Sequence, residues 1–256
     1  MCGVEKCLLK GKCKQAGNPA LCGHLCYAFL KLQGESGNGG IWGLAGIPKA
    51  YTGVSARELP FEQDNPVAYA AIQKYCADVL GKVEKGCGLY LFSIPQPDNP
   101  KGTGTGKTTA AVAILNEFLV ARTIEHVTNR RRIEEVPALF VNASKYQNSF
   151  NAQFRGTPEM QQTSSVHYYR LKERMLKAEL LVLDDIGVRE ATEAYRSEFY
   201  EVIDGRIIEG QSTIYTSNVP LNDIAGLLDE RIASRIEGAA IPVSFRGVDH
   251  RKAGLY

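Results

Sequence analysis

The segment PKGTGTGKTT (100–109) constrains this chain more than any other. It follows GLYLFS (88–93), an apolar run that reads as a buried strand. It opens KTTAAVAILNEFLVA (107–121), which reads as a helix. A glycine-rich turn between a strand and a helix is where successive backbone N–H groups point at one anion. Gly104, Thr105, Gly106, Lys107, Thr108 and Thr109 are therefore the expected triphosphate-binding residues. Lys107 would reach the β- and γ-phosphates, and Thr108 would place its hydroxyl on Mg²⁺. The spacing departs from the G-x-x-x-x-G-K-[ST] pattern at one point. Counting back from Gly106, Lys101 stands where the first glycine belongs, and Gly102 comes one residue later. The GTGKTT core is intact, so the loop reads as shifted or widened by SIPQPDNPK. A Thr/Gly turn with an incidental lysine is the bland alternative, and the strand–helix context argues against it.

A phosphate loop alone does not imply hydrolysis. LLVLDDIG (180–187) is an apolar strand that ends in two acids. Beside a phosphate loop, Asp184 is expected on the Mg²⁺ side and Asp185 as the residue that polarises water. STIYTS (212–217) reads as a further strand with Asn218 at its tip, placed to orient water or simply to make the turn before Val219-Pro220. In LLDERIASRIEG (227–238), Arg231 and Arg235 are four apart and share a helix face. They could reach a neighbouring subunit's γ-phosphate, or they could pair with Asp229, Glu230 and Glu237.

The remaining pattern sets the fold class. ALFVNA (138–143) and AIPVSF (240–245) read as strands, and 164–178, 192–209 and 227–236 as helices. Residues 65–82 read as one helix, with Ala68, Ile72, Cys76 and Leu80 on a four-residue spacing after Pro66. Alternating strands and helices imply a parallel five-stranded sheet covered on both faces. The 256 residues are 44% hydrophobic and 23% charged with a net charge of +2, which excludes a disordered chain and a bulk polycation. No run is long and apolar enough for a membrane span or signal peptide, so a cytoplasmic protein without membrane contact is expected.

The first 34 residues differ from the rest. Cys2, Cys7, Cys13, Cys22 and Cys26 cluster there, with Lys6, Lys10, Lys12, Lys14 and Lys31 against Glu5. Four thiolates can hold a structural zinc, and a metal would let so short a segment fold. Cys7, Cys13, Cys22 and Cys26 are the favoured set, with Cys2 near a frayed terminus and His24 as a competitor. An Fe–S cluster or free thiols are the alternatives. Residues 1–34 thus read as a head, 35–64 as a Gly-rich hinge and linker holding the only tryptophan, Trp42, and 65–256 as the ATPase domain. Cys76 and Cys87 read as core thiols.

From AGIPKAY (45–51) to SFRGVDHR (244–251), roughly 200 residues, the chain resembles the AAA+ helicase loaders of the DnaC and DnaI type and the related IstB transposition helpers. The residues that carry the resemblance are Ile47-Pro48, GLYLFS with GTGKTT, LLVLDDIG, TSN and the DERIASR helix. It implies an ATPase with weak, DNA-stimulated turnover, Asn218 as sensor 1, Arg235 as the better arginine finger beside Arg231, and no C-terminal helical lid. The head resembles the zinc-binding head of DnaI. Together with the small size it suggests a phage-encoded version. The implied partners are a replicative hexameric helicase, single-stranded DNA and further copies of the chain in an ATP-bridged oligomer. In this family the region SKYQNSFNAQFRG (144–156) faces the channel, which makes Lys145, Tyr146 and Arg155 the expected DNA contacts, against the bland reading that the aromatics pack the helix. Phe150, Phe154, His167, Tyr168 and Tyr169 lie nearby, and Arg130-Arg131-Arg132 forms a basic loop. An IstB-like transposition helper, and an adaptor that binds nucleotide without cleaving it, remain the alternatives.

Overall fold

The computed structural model describes residues 7–18, 20–23, 25–51, 53–133, 135–187, 191–247 and 249–250. Five strands form one parallel sheet: β1 (Gly88–Ser93), β2 (Ala138–Asn142), β3 (Leu180–Ile186), β4 (Ser212–Ser217) and β5 (Ala240–Phe245). Their order is β2-β3-β4-β1-β5. Every pairing is parallel, so all five C-terminal tips lie along one edge, where a ligand crevice forms in open α/β sheets. The phosphate-loop strand β1 and the acid-tipped strand β3 are thus separated by β4.

The two-residue period of each strand divides the core into two layers. Leu89, Leu91, Leu180, Val182 and Ile214 face one layer, with α3 (Pro66–Ala77), α4 (Val79–Glu84) and α5 (Lys107–Val127). Tyr90, Leu181, Leu183 and Tyr215 face the other, with α6 (Ala143–Ala152), α7 (Pro158–Lys177), α8 (Glu193–Ile208), α9 (Leu221–Leu227) and α10 (Glu230–Ala239). Helix α5 is buried on nearly all sides from Ala110 to Val120, and its small residues allow that close approach.

Two expectations are corrected. The single helix over 65–82 is two helices, because Asp78 adopts φ −130°, ψ 44° and interrupts the ladder between α3 and α4. The Gly-rich stretch 34–45 is not an open loop. It turns α1 (Tyr27–Gln33) into a short helix, α2 (Gly40–Leu44). Gly40 has φ +58°, and a Cβ there would lie 2.6 Å from the Leu32 carbonyl oxygen, so only glycine lets these segments meet. Trp42 is buried, and its Nε1–H donates to Asn116 Oδ1 on α5 at 2.9 Å. The same amide donates from Nδ2 to the Val54 carbonyl at 2.8 Å. Leu9, Leu32 and Ile41 join the apolar layer around α5. Lys12 Nζ reaches Glu117 at 2.5 Å, and the Tyr27 ring stacks on His126 with centroids 5.9 Å apart. At the outer edge of the sheet, the Phe140 N–H on β2 donates to the Ala45 carbonyl at 2.7 Å, so the linker covers part of an otherwise open strand. Among the described residues no helix is long and apolar enough to cross a membrane.

Candidate nucleotide site

The phosphate loop is widened, not lost. Ser93, the last residue of β1, donates from Oγ to the Gly102 carbonyl at 2.6 Å, so residues 94–101 leave the strand and return to it. A Cβ on Gly102 would lie 2.5 Å from the Ser93 Cβ, which explains why glycine closes the excursion. Asn99 fastens it from within. This nearly buried side chain donates to the Thr103 carbonyl at 2.8 Å and accepts the Thr103 N–H at 3.2 Å. Nothing in the local sequence marked Asn99, because its partners come from loop closure. Gly104 and Gly106 hold φ +68° and +98°, which turns the backbone around Lys107. Lys107 Nζ donates to Ser93 Oγ at 2.5 Å and to the Gly102 carbonyl at 3.0 Å, so the ammonium already sits inside the loop.

The acids lie where the sequence placed them. Asp184 is buried at the tip of β3. Its Oδ1 accepts the hydroxyls of Thr108 and Thr216, each at 2.8 Å, and Asn142 Nδ2 is 3.4 Å from Oδ2. A hydroxyl and a carboxylate oxygen in contact are the donor set that Mg²⁺ uses beside a bound polyphosphate. Asp185 takes a left-handed backbone, φ +59°, and its N–H donates to Thr216 Oγ1 at 2.9 Å. Asp185 and Asn218 line one cavity of about 340 Å³ with Thr103–Thr109, Tyr51, Pro60 and His250. Gly104, Thr105, Gly106, Lys107, Thr108, Thr109, Asp185 and Asn218 therefore share one space, and Asp184 backs it. Tyr51, Pro60 and His250 were not expected there. They arrive from the linker and from the segment after β5, which no local pattern connects to the loop.

Arg231 and Arg235 do not line this cavity. Both are exposed on α10, and each is held by its own chain. Arg231 Nε lies 3.1 Å from Asp229 Oδ1, with its guanidinium 5.1 Å above the Tyr200 ring. Arg235 Nε lies 2.9 Å from Asp204 Oδ1. A hydrogen bond donated to the Tyr200 side chain, then the Asp204 charge, pushes the Arg235 guanidinium above its ordinary value.

The four head cysteines line one cavity of about 220 Å³, together with Leu9 and Phe29. None of the four is in a disulfide. Burial pushes the Cys7 thiol up, and the neighbouring Cys26, Cys22 and Cys13 add to the rise. Among the described residues no three His, Cys, Asp or Glu groups stand close enough to hold a metal ion. Cys2 and His24 lie outside the described residues. Cys76 is buried, which pushes its thiol up to about 12, while Cys87 is half-buried.

The DNA expectation needs one correction. Lys145 and Arg155 are exposed, but Tyr146 is fully buried. Its hydroxyl donates to Tyr168 Oη at 2.9 Å, and Tyr168 in turn donates to Glu198 at 3.0 Å. Tyr146, Phe150 and Tyr168 pack α6 and α7 onto the sheet, so none of these rings can stack on a base. The exposed rings of this region are Phe154 and Tyr169, at 67% and 57%, together with His167.

A family model described as "IstB-like ATP binding protein" matches residues 159–237. No curated protein matches the chain. Among solved structures, the DnaC helicase loader is similar at 21% identity and a TM-score of 0.55, covering 77% of this chain and 99% of that one. DnaI is similar at 20% identity and a TM-score of 0.53, over 78% and 94% of the two chains. Domain III of the Thermotoga maritima replication initiation protein DnaA is similar at 14% identity and a TM-score of 0.55, over 80% and 70%. The fold is the α/β AAA+ arrangement.

Proposed function

We propose that this AAA+ domain is an ATP-dependent helicase loader that binds a replicative hexameric helicase and single-stranded DNA and uses ATP binding and hydrolysis to load and release. One observation carries the ATPase part: the loop residues, Asp185 and a polar strand tip meet in a single cavity, and Asp184 is hydrogen-bonded to Thr108 behind it. The similarity in fold over nearly all of the DnaC loader chain supports the replication reading.

Lys107 would leave the Gly102 carbonyl to meet the β- and γ-phosphates. Thr108 and Asp184 would hold Mg²⁺, which screens phosphate charge when bound. Asp185 takes the proton of the attacking water, and Asn218 orients that water. Arg235, with Arg231 beside it, leaves its carboxylate partner to approach the γ-phosphate of an adjacent copy, so turnover requires self-association. Lys145 and Arg155 contact DNA phosphates, with Phe154 and Tyr169 as the stacking rings in place of Tyr146. Cys7, Cys13, Cys22 and Cys26 would hold Zn²⁺, whose role is to tie the head together for helicase contact. The four thiols line one cavity but stand too far apart to share an ion as they are, so binding would require them to converge.

The test is native mass of the chain mixed with the replicative helicase of the same source and ATP. A joint complex is expected. Absence of a complex with and without nucleotide overturns the loader reading and favours an IstB-like transposition helper, which the family-model match over 159–237 supports. That reading predicts double-stranded DNA and a transposase as partners. Metal analysis of full-length Cys22→Ser should show loss of bound zinc.

A further inference from the structure

After β5 the chain folds back across the phosphate loop, and each step of that return is fastened. Asn65 accepts the Arg246 N–H at 2.6 Å and donates to the Arg246 carbonyl at 2.8 Å. The Gly247 carbonyl accepts from Asn99 Nδ2 at 3.0 Å, the same amide that grips Thr103. The His250 N–H donates to the Gly104 carbonyl at 3.1 Å, and His250 Nε2 lies 3.0 Å from Asp64 Oδ2. These contacts leave Asp249 little choice of position. Its Oδ2 accepts the Thr103 hydroxyl at 3.3 Å. Its Oδ1 lies so close to Gly104 that a Cβ on that residue would be 1.6 Å away. A fixed carboxylate therefore rests on the middle of a loop whose purpose is to receive anions.

We propose that Asp249 is a charge-selecting residue of the nucleotide site, an internal anion that sets how tightly the loop holds a polyphosphate. The proposal rests on reading the cavity as a nucleotide site. The loop's glycines and N–H groups attract negative charge. The carboxylate opposes it at short range, where solvent screening is incomplete. The opposition grows with ligand charge, so it falls on ATP and on inorganic tripolyphosphate, less on ADP, and not on adenosine. A loader that must let its nucleotide go gains a faster release from the same contact.

Asp249→Asn keeps the shape and the acceptor for Thr103 and removes the charge. Calorimetric titration of the full chain should show tripolyphosphate and ATP bound about fivefold to tenfold more tightly, with adenosine unchanged. The gain should shrink as salt rises from about 0.05 to 0.5 M. Asp249→Ser, which also removes the charge, should show the same direction and guards against a folding defect in one variant. Lys107→Ala is the control for the site. If wild-type binding depends on Lys107 but neither Asp249 variant tightens it, the proposal fails while the site stands. If adenosine gains as much as ATP, the tail acts by shape and the proposal also fails. If polyphosphate binds nowhere, or binds independently of Lys107, the nucleotide reading fails and takes the proposal with it.

Discussion

The Thr108 hydroxyl donates to Asp184 Oδ1 at 2.8 Å, joining the first turn of α5 to the tip of β3. Thr216 on the intervening strand β4 donates to the same oxygen at the same distance. Three elements thus hold one carboxylate oxygen in place before any ligand arrives, so little reordering is needed when Mg²⁺ and nucleotide bind. Asp184→Asn should raise the Kd for ATP about tenfold to a hundredfold in Mg²⁺ and leave the Kd in EDTA within about twofold. Fluorescent-nucleotide titrations in the two buffers check this. A variant that keeps the full Mg²⁺ dependence would remove Asp184 from that role.

Asn116 joins the linker to α5. Its Oδ1 accepts from Trp42 Nε1 and its Nδ2 donates to Val54. Asn116→Ala strips partners from two groups at a buried junction, at a cost of about 2 to 4 kcal/mol. Urea unfolding followed by Trp42 emission should show the lowered midpoint, since the chain has no other tryptophan to mask it.

His126 makes the second such contact sensitive to pH. Its Nδ1 accepts the Ile133 N–H at 3.1 Å and its Nε2 meets Tyr27 Oη at 2.9 Å, an arrangement that needs the neutral ring. Desolvation, and then the charges of Lys31, Arg132 and Arg122, hold its pKa below the ordinary 6.5. A depressed histidine contributes stability above the unfolded value of about 6.5, and that stability is lost as pH falls through the lower folded value. Amide protection in residues 27–33, taken relative to the intrinsic exchange rate at each pH, should therefore fall as pH drops below about 6.5, and His126→Gln should remove that loss.

Tyr146 and Arg155 should separate packing from DNA contact. Tyr146→Phe removes the hydroxyl bonded to Tyr168 and costs about 1 kcal/mol of stability without changing single-stranded DNA affinity. Arg155→Ala should leave stability unchanged, weaken DNA binding at low salt, and lower the slope of log K against log salt by about 0.7. Equal DNA defects in both variants would contradict the assignment.

How much of this was legible in the sequence depended on distance along the chain. GTGKTT between a strand and a helix, and LLVLDD ending in acids, are local signals, and the structure brings them together. The strands GLYLFS, STIYTS and AIPVSF begin and end where the apolar runs do. The split at Asp78 was not legible, because the apolar spacing from Ala68 to Leu80 continues across it. The stretch 34–45 read as a loop or hinge because glycine signals backbone freedom, not whether Trp42 within it finds a buried partner 74 residues away. Asn99 and Asp249 were invisible for the same reason: their partners are set by closure of the loop and by the return of the chain after β5, which brings Asp249 to Thr103 across a separation of 146 positions. Tyr146 shows the ambiguity of an aromatic helix, since periodicity alone does not say which face meets the sheet.

The left-handed backbone at Asp185 sets the working chain against the most durable one. Outside glycine that conformation costs about 1 kcal/mol or more. Here it turns the carboxylate from the sheet toward the cavity. Asp185→Gly should relax the turn and raise the melting temperature by a few degrees while abolishing phosphate release, which calorimetry and a phosphate assay on the same sample would show together. Selection for thermal endurance alone would drive this position toward glycine, so an aspartate here marks a chain kept for what it does at the expense of how long it lasts.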